Sequence, residues 1–215
     1  MIDREPVDIM GVTAFPNPNK DERVIRFIDS EYHTLFTIKD GESIVITRFD
    51  GEKMVFPCKY IDDCHVCIGN SAYHICEFAE MQERNGNIYV PSAPKISDEI
   101  CTYEIYQIPA TADVDYYFRS YAAAKGKLRS ADYQRSYAGM YAKGNSLEDL
   151  WAKHNRDSRP FAHRMRSMSV SDIVVLTQGG RKTAYYADTI GFKKAPEFLA
   201  QQRAQKKHKE RGEAR

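Results

Sequence analysis

After residue 22 the pattern of apolar and polar positions turns sharply to β. Residues 32–38, 43–49 and 53–61 are rich in β-branched and aromatic side chains, and Asp40-Gly41 and Asp50-Gly51 stand between them. Asp-Gly supplies the positive φ angles of a tight hairpin, so this stretch predicts an antiparallel β-meander. Residues 64–68 and 71–75, meeting at Gly69-Asn70, add two more strands. The period then lengthens: Ile75, Phe78, Ala79 and Gln82 fall at i, i+3, i+4 and i+7, one helix that would cover the sheet, and Asn85-Gly86 stops it. Ahead of the meander, Pro6, Pro16 and Pro18 mark an irregular lead with one short strand at 7–12.

Pro91, Ser92, Ala93, Pro94, Lys95 and Ser97 have little to pack, which places a linker at 91–101 between a first unit, residues 1–90, and a second, residues 102–200. The second unit is expected to open with a strand at 103–108. Val114, Tyr117, Phe118 and Tyr121 form a helical stripe within 113–124, and Leu147, Leu150, Trp151 and His154 form another within 146–154, where Ser146 is a suitable N-cap. Residues 133–141 read as a strand that contains Gly139. Residues 172–177 and 181–188 form a hairpin about Gln178-Gly179-Gly180, and Pro196 opens a final helix. Residues 201–215 are basic and nearly free of apolar side chains, a frayed helix or disordered tail. The expected fold class is α+β: an N-terminal antiparallel β-meander with one covering helix, then a second α+β unit with a C-terminal β-hairpin and helix.

With Gly179-Gly180 as the turn, Val174 pairs with Tyr185 and Val175 with Ala184. One hairpin face then carries Val174, Leu176 and Tyr185, the other Ile173, Val175 and Tyr186. Both are apolar, so the hairpin is expected inside its unit. The same register sets Ser171 opposite Asp188.

Composition narrows the classes. Apolar residues make up 42% and charged residues 28%, near globular averages. A formal charge of +1 creates no global field to recruit nucleic acid or a membrane, so such binding needs a local patch. The first twelve residues include acids and no apolar run, which predicts no secretory leader, and no segment approaches the roughly 20 apolar residues of a membrane span. Five cysteines without an export signal predict reduced thiols and a cytoplasmic protein.

The run Ser167-Met168-Ser169-Val170-Ser171-Asp172-Ile173-Val174-Val175-Leu176, followed by Ala184-Tyr185-Tyr186-Ala187-Asp188, Gly191-Phe192 and Pro196-Glu197-Phe198, resembles the signature of the YodL-like domain family. Tyr103-Glu104-Ile105-Tyr106-Gln107-Ile108 and Leu147-Glu148-Asp149-Leu150 fit the same pattern, so the resemblance spans residues 102–199. Ala187 and Ile190 depart from the Val and the aromatic residue of the pattern. The resemblance implies a bacterial setting, in conjugative and other mobile elements of Firmicutes, and carries over no catalytic residue. The N-terminal half, through Tyr60-Ile61-Asp62-Asp63, Tyr73 to Glu80 and Asn85-Gly86, weakly resembles small accessory domains of the same elements.

Three sets of residues could carry chemistry. Ser167, Ser169, Ser171, Asp172 and Asp188 cluster at the mouth of the hairpin, either as a hydrogen-bonding rim for a ligand or partner or as turn and cap residues. Cys64-x2-Cys67 has the spacing of zinc ligands, and His65, His74, Cys76 and Cys58 lie near it; the β register puts His65 opposite His74 with Cys67 on their face and Cys64 on the other. Zinc is thus the one cofactor suggested. Lys153, Arg156, Arg159, Arg164 and Arg166, with Phe161, Tyr133 and Tyr137 to stack on bases, and the basic tail from Arg203, could bind nucleic acid. No nucleophile elbow or phosphate-binding glycine loop is present. The sequence therefore predicts a non-enzymatic accessory protein of a bacterial mobile element that binds a host or element-encoded protein, with action against a host defence or regulatory system suited to that setting. A nucleic-acid-binding accessory factor is the alternative, and a zinc-stabilised module the third reading.

Overall fold

A computed structural model describes residues 7–9, 12–14, 23–28, 33–47, 52–74, 88–91, 101–160, 162 and 165–213. In the N-terminal half, β1 (Val7–Ile9) and β2 (Val12–Ala14) pair as a small hairpin. β3 (Val24–Ile28) and β4 (Thr34–Lys39) form a second two-stranded sheet. β5 (Ser43–Thr47), β6 (Lys53–Tyr60), β7 (His65–Ile68), β8 (Ser71–His74) and β9 (Ile88–Pro91) make a five-stranded antiparallel sheet in the order β8-β7-β6-β5-β9.

The expected strands 32–38, 43–49, 53–61, 64–68 and 71–75 are present with shifted ends as β4 to β8, and the Gly69-Asn70 hairpin pairs Ile68 with Ser71. The meander itself is broken once. Asp40-Gly41 does not close a hairpin, because β4 pairs with β3 and β5 with β6 and β9. Tertiary bonds steer the chain there: Gly41 N–H donates to the Cys58 carbonyl, Cys58 N–H to that of Glu42, and Tyr60 N–H to Asp40 Oδ1. In place of the one short strand expected at 7–12 there are two, β1 and β2, and strands β3 and β9 were not expected; each of these last is a short run beside a charged or proline-rich stretch. The helix expected at 75–82, the Asp50-Gly51 turn and most of the 91–101 linker lie outside the described residues.

Ile25, Phe27, Phe36 and Ile38 of the small sheet pack on Ile44, Ile46, Cys58, Val66 and Ile68 of the larger one. Phe27 and Phe36, directly opposite in register, stack with centroids 4.5 Å apart. Met140 and Ala142 of the second half are buried in this same cluster, so the two halves share a core at their junction.

The C-terminal half is built on one antiparallel sheet in the order β11-β10-β12-β13-β14, from β10 (Cys101–Gln107), β11 (Gln134–Tyr141), β12 (Ile173–Gln178), β13 (Arg181–Ala187) and β14 (Phe192–Lys194). The β12–β13 register is the one expected, Val174 with Tyr185 and Val175 with Ala184. Both faces are covered. Val174 packs with Tyr103, Ile105 and Tyr137 beneath α2 (Leu147–Lys153), while Ile173, Val175 and Tyr186 pack with Phe198 of α3 (Pro196–Glu213). Helix α2 begins as the sequence indicates: Ser146 Oγ accepts from Asp149 N–H at 3.1 Å, and Asp149 Oδ2 accepts from Ser146 N–H at 2.7 Å. The basic tail continues α3 to Glu213. No helix among the described residues is long and apolar enough to cross a membrane.

One expected helix is largely absent. Of residues 113–124, α1 (Tyr121–Ala124) alone is helical, after turns in which Phe118 takes φ +57°. Groups that would have closed a helix are engaged elsewhere: Phe118 N–H donates to Ser171 Oγ, and the Arg119 carbonyl accepts from Tyr186 Oη.

Gly139, inside β11, has its own packing reason. It faces Tyr103 across the ladder, and the buried Tyr137 ring folds over it, so that a Cβ would fall 2.7 Å from Tyr137 Cε1 and Oη. Gly139→Ala should therefore force that ring out of place and destabilise the fold by about 1–3 kcal/mol. Urea unfolding of the two proteins checks this; an unchanged midpoint would mean the ring has room to move.

Candidate functional site

The loop leading into β12 converges on one carboxylate. Asp172 is fully buried, and its side chain accepts from Arg166 (Nη2 to Oδ1 at 2.5 Å, Nη1 to Oδ2 at 3.0 Å), from Gln107 Nε2 at 2.8 Å and from the Ser169 N–H at 2.9 Å. The Ser167 carbonyl accepts from Arg166 Nη1 and Gln107 Nε2 as well. Burial pushes the Asp172 carboxyl above the ordinary carboxylate range, while Arg166, the Gln107 amide and the Ser169 N–H act against that shift. Each of these partners is a donor, so the loop is organised around an acceptor.

The expected rim residues thus divide. Ser167 and Ser169 supply backbone groups to the network around Asp172. Ser171 is buried with φ +80°; its Oγ accepts the Phe118 N–H at 3.1 Å and its carbonyl accepts Tyr133 Oη at 3.0 Å. Asp188 Oδ1 accepts the N–H groups of Tyr121 at 3.0 Å and Thr189 at 2.8 Å. Together Ser171 and Asp188 lash the 117–121 segment to the ends of β12 and β13.

What these bonds hold up is an aromatic ledge. Phe118 is 54% exposed and stacks on Tyr117 with centroids 3.9 Å apart, and the Arg166 guanidinium carbon lies 5.6 Å from the Phe118 ring centroid and 5.7 Å from that of Tyr117. Ile190, two residues beyond Asp188, is 86% exposed. Arg166 therefore joins the buried carboxylate to the exposed rings. The residue pattern places Phe118 on a helical stripe and gives no sign of a role for Gln107. A left-handed Phe leaves no mark in residue pattern, since it depends on a hydroxyl 53 positions away.

The cysteine and histidine set lies elsewhere. His65 and His74 are opposite in register with ring centroids 5.4 Å apart, and Cys67 faces Ala72. His65 Nδ1 is 2.9 Å from Asp62 Oδ1. Burial pushes the Cys58 thiol up to about 12 and raises that of Cys64, which holds both protonated. Among the described residues no group of three or more His, Cys, Asp or Glu side chains could hold a metal ion, and Cys76 lies outside them.

The arginines offered as nucleic-acid contacts have different surroundings. Arg166 is committed to Asp172, Arg156 is exposed in the turns after α2, the Arg159 Nε is buried, and Arg164 lies outside the described residues, as does Phe161. Tyr133 and Tyr137 are buried, so neither presents a ring for base stacking.

Residues 102–198 match the family model of the YodL-like domain. No curated protein and no solved structure matches the chain.

Proposed function

We propose, from the premise that residues 102–198 form a YodL-like domain, that this protein works by binding another protein through the ledge of Tyr117, Phe118 and Arg166. It would do so as an accessory component of a bacterial mobile element, against a host defence or regulatory protein. The mobile-element setting rests on the family resemblance; the binding reading rests on Phe118. A bulky residue in the left-handed region costs about 1–2 kcal/mol, and such outliers persist where the surroundings over-determine them. Phe118 bears that cost while half in water, so its burial within the folded chain returns little. A partner with an apolar pocket would bury it, and aromatic residues beside Arg are the usual anchors of protein interfaces. Arg166, pinned by Asp172, would meet that partner already ordered, which lowers the entropy lost on docking.

Phe118→Gly separates this role from a structural one. Glycine removes the backbone strain but also the stacking on Tyr117, so stability should stay within about 1 kcal/mol of the parent. Affinity for the partner should fall by roughly 30-fold or more, the loss typical of an interface anchor. Tagged parent and Phe118→Gly proteins, each shown folded by circular dichroism, would be compared for capture of the same host or element protein. Equal capture by both would remove the ledge as the binding surface.

A further inference from the structure

We infer that the exposed stretch of α3 from Arg203 to His208 is a second binding surface, one that takes the phosphate backbone of a nucleic acid independently of sequence. The helix runs to Glu213, and its packed residues lie in its first turns. Phe198 is buried, and Gln201 accepts the Ser130 N–H and donates to the Leu128 carbonyl. From Arg203 to His208 every residue is exposed.

Charge is separated in the same way. The whole chain has 31 Lys and Arg against 30 Asp and Glu, and residues 203–215 hold six of the first against two of the second, so the remaining 202 residues are net negative. A net-negative remainder of the chain thus carries a basic C-terminal segment, of which residues 203–208 are helical and exposed. Complementing the helix dipole explains cations in the last turn alone, and Arg203 and Lys207 lie further back. Arg203 and Lys207 are also spaced i, i+4 on exposed positions, where like charges weaken an isolated helix. A polyanion lying along this segment would relieve that repulsion, and cations at a one-turn repeat suit contacts to successive phosphates. From Arg203 to His208 the single apolar residue is Ala204, which makes no apolar stripe for a protein groove or a bilayer interface.

The test uses the full chain and fluorescence anisotropy with a labelled duplex DNA and a labelled RNA hairpin, at 50 and 200 mM salt. Binding is expected at the lower salt, and three phosphate contacts to the duplex would weaken it about 40-fold at the higher. The double variant Arg203→Glu/Lys207→Glu should lose at least tenfold in affinity at 50 mM salt, whereas Arg203→Lys should keep it. Because both positions are exposed, circular dichroism and the unfolding midpoint should show the body of the variant unchanged. Preference for DNA or for RNA would identify which source of phosphate is used. Absence of binding to either at 50 mM salt, charge reversal without effect, capture by anionic vesicles alone, or salt-sensitive self-association in place of nucleic-acid binding would each overturn the inference. None of these outcomes depends on Phe118, so the aromatic ledge stands or falls separately.

Discussion

Asp172→Ala should destabilise the protein by on the order of 3 kcal/mol, the lower end of what breaking a buried ion pair costs. The carboxylate is the shared acceptor for Arg166, the Gln107 amide and the Ser169 N–H, and its loss leaves all three without it. The Arg166 side chain is 30% exposed, so its charge can turn partly to water, which sets the loss below that of a fully enclosed pair. Gln107 and the Ser169 N–H have less freedom to do so. The loop 166–172 would loosen, and with it Ser171 and the Phe118 backbone it holds. Asp172→Ala should thus lower partner capture as well as stability, unlike Phe118→Gly. Chemical denaturation measures the first effect, and the double variant Asp172→Ala/Arg166→Met should recover part of it by removing the unpaired cation. A single variant with the parent's unfolding midpoint would mean that Asp172 does not clamp the loop.

Acid should unfold this protein through His154. The ring is fully buried at the C-terminal end of α2, its Nε2 is 2.7 Å from Tyr103 Oη, and its Nδ1 has no hydrogen-bond partner among the described residues. Burial, and then the nearby charges of Lys153, Arg156 and Arg159, lower its pKa from 6.5 to about 3. A helix C-terminus ordinarily favours a protonated imidazole, so desolvation outweighs the dipole here. Between those two values the unfolded chain binds a proton that the folded chain refuses. Stability from this group is therefore complete above pH 6.5 and is lost as pH falls toward 3, by on the order of 4 kcal/mol across the window. His154→Gln, which cannot take up the proton, should flatten the pH dependence between 6.5 and 3. Unfolding midpoints at several pH values, parent against variant, provide the check; parallel curves would show that some other group carries the acid sensitivity.

Local chemistry is legible in the sequence wherever neighbours along the chain decide the outcome. Gly179-Gly180 sets the β12–β13 register, Gly69-Asn70 sets β7–β8, and Ser146 with Asp149 starts α2. The burial of the hairpin on both faces follows from the apolar residues at both parities. The misreadings share a different cause. Asp40-Gly41 has the composition of a hairpin turn, yet bonds to Cys58 and Tyr60 carry the chain from one sheet to the other. Residues 113–124 have the period of a helix, yet Ser171, Tyr186 and Asp188 take the backbone groups that a helix would use. In each case partners distant in sequence outcompete a local preference worth a fraction of a kcal/mol per residue.

The candidate site shows the same division. Ser167, Ser169, Ser171, Asp172 and Asp188 were recognisable from the sequence as a polar cluster at the hairpin mouth, because short polar side chains there must bond to something nearby. Whether they face a ligand or the backbone is set by what the sheet brings beside them. Gln107 from β10, Arg166 from the preceding loop and the Phe118 N–H from the turn segment fill that space. By itself the sequence determined most of the strands, the register of the two glycine-turn hairpins and the membership of the polar cluster, since these follow from side-chain period and turn chemistry. Only the tertiary structure decided that the cluster points inward and Phe118 outward, because a buried carboxylate requires donors from wherever the fold can supply them, and satisfying it dictates the backbone around it.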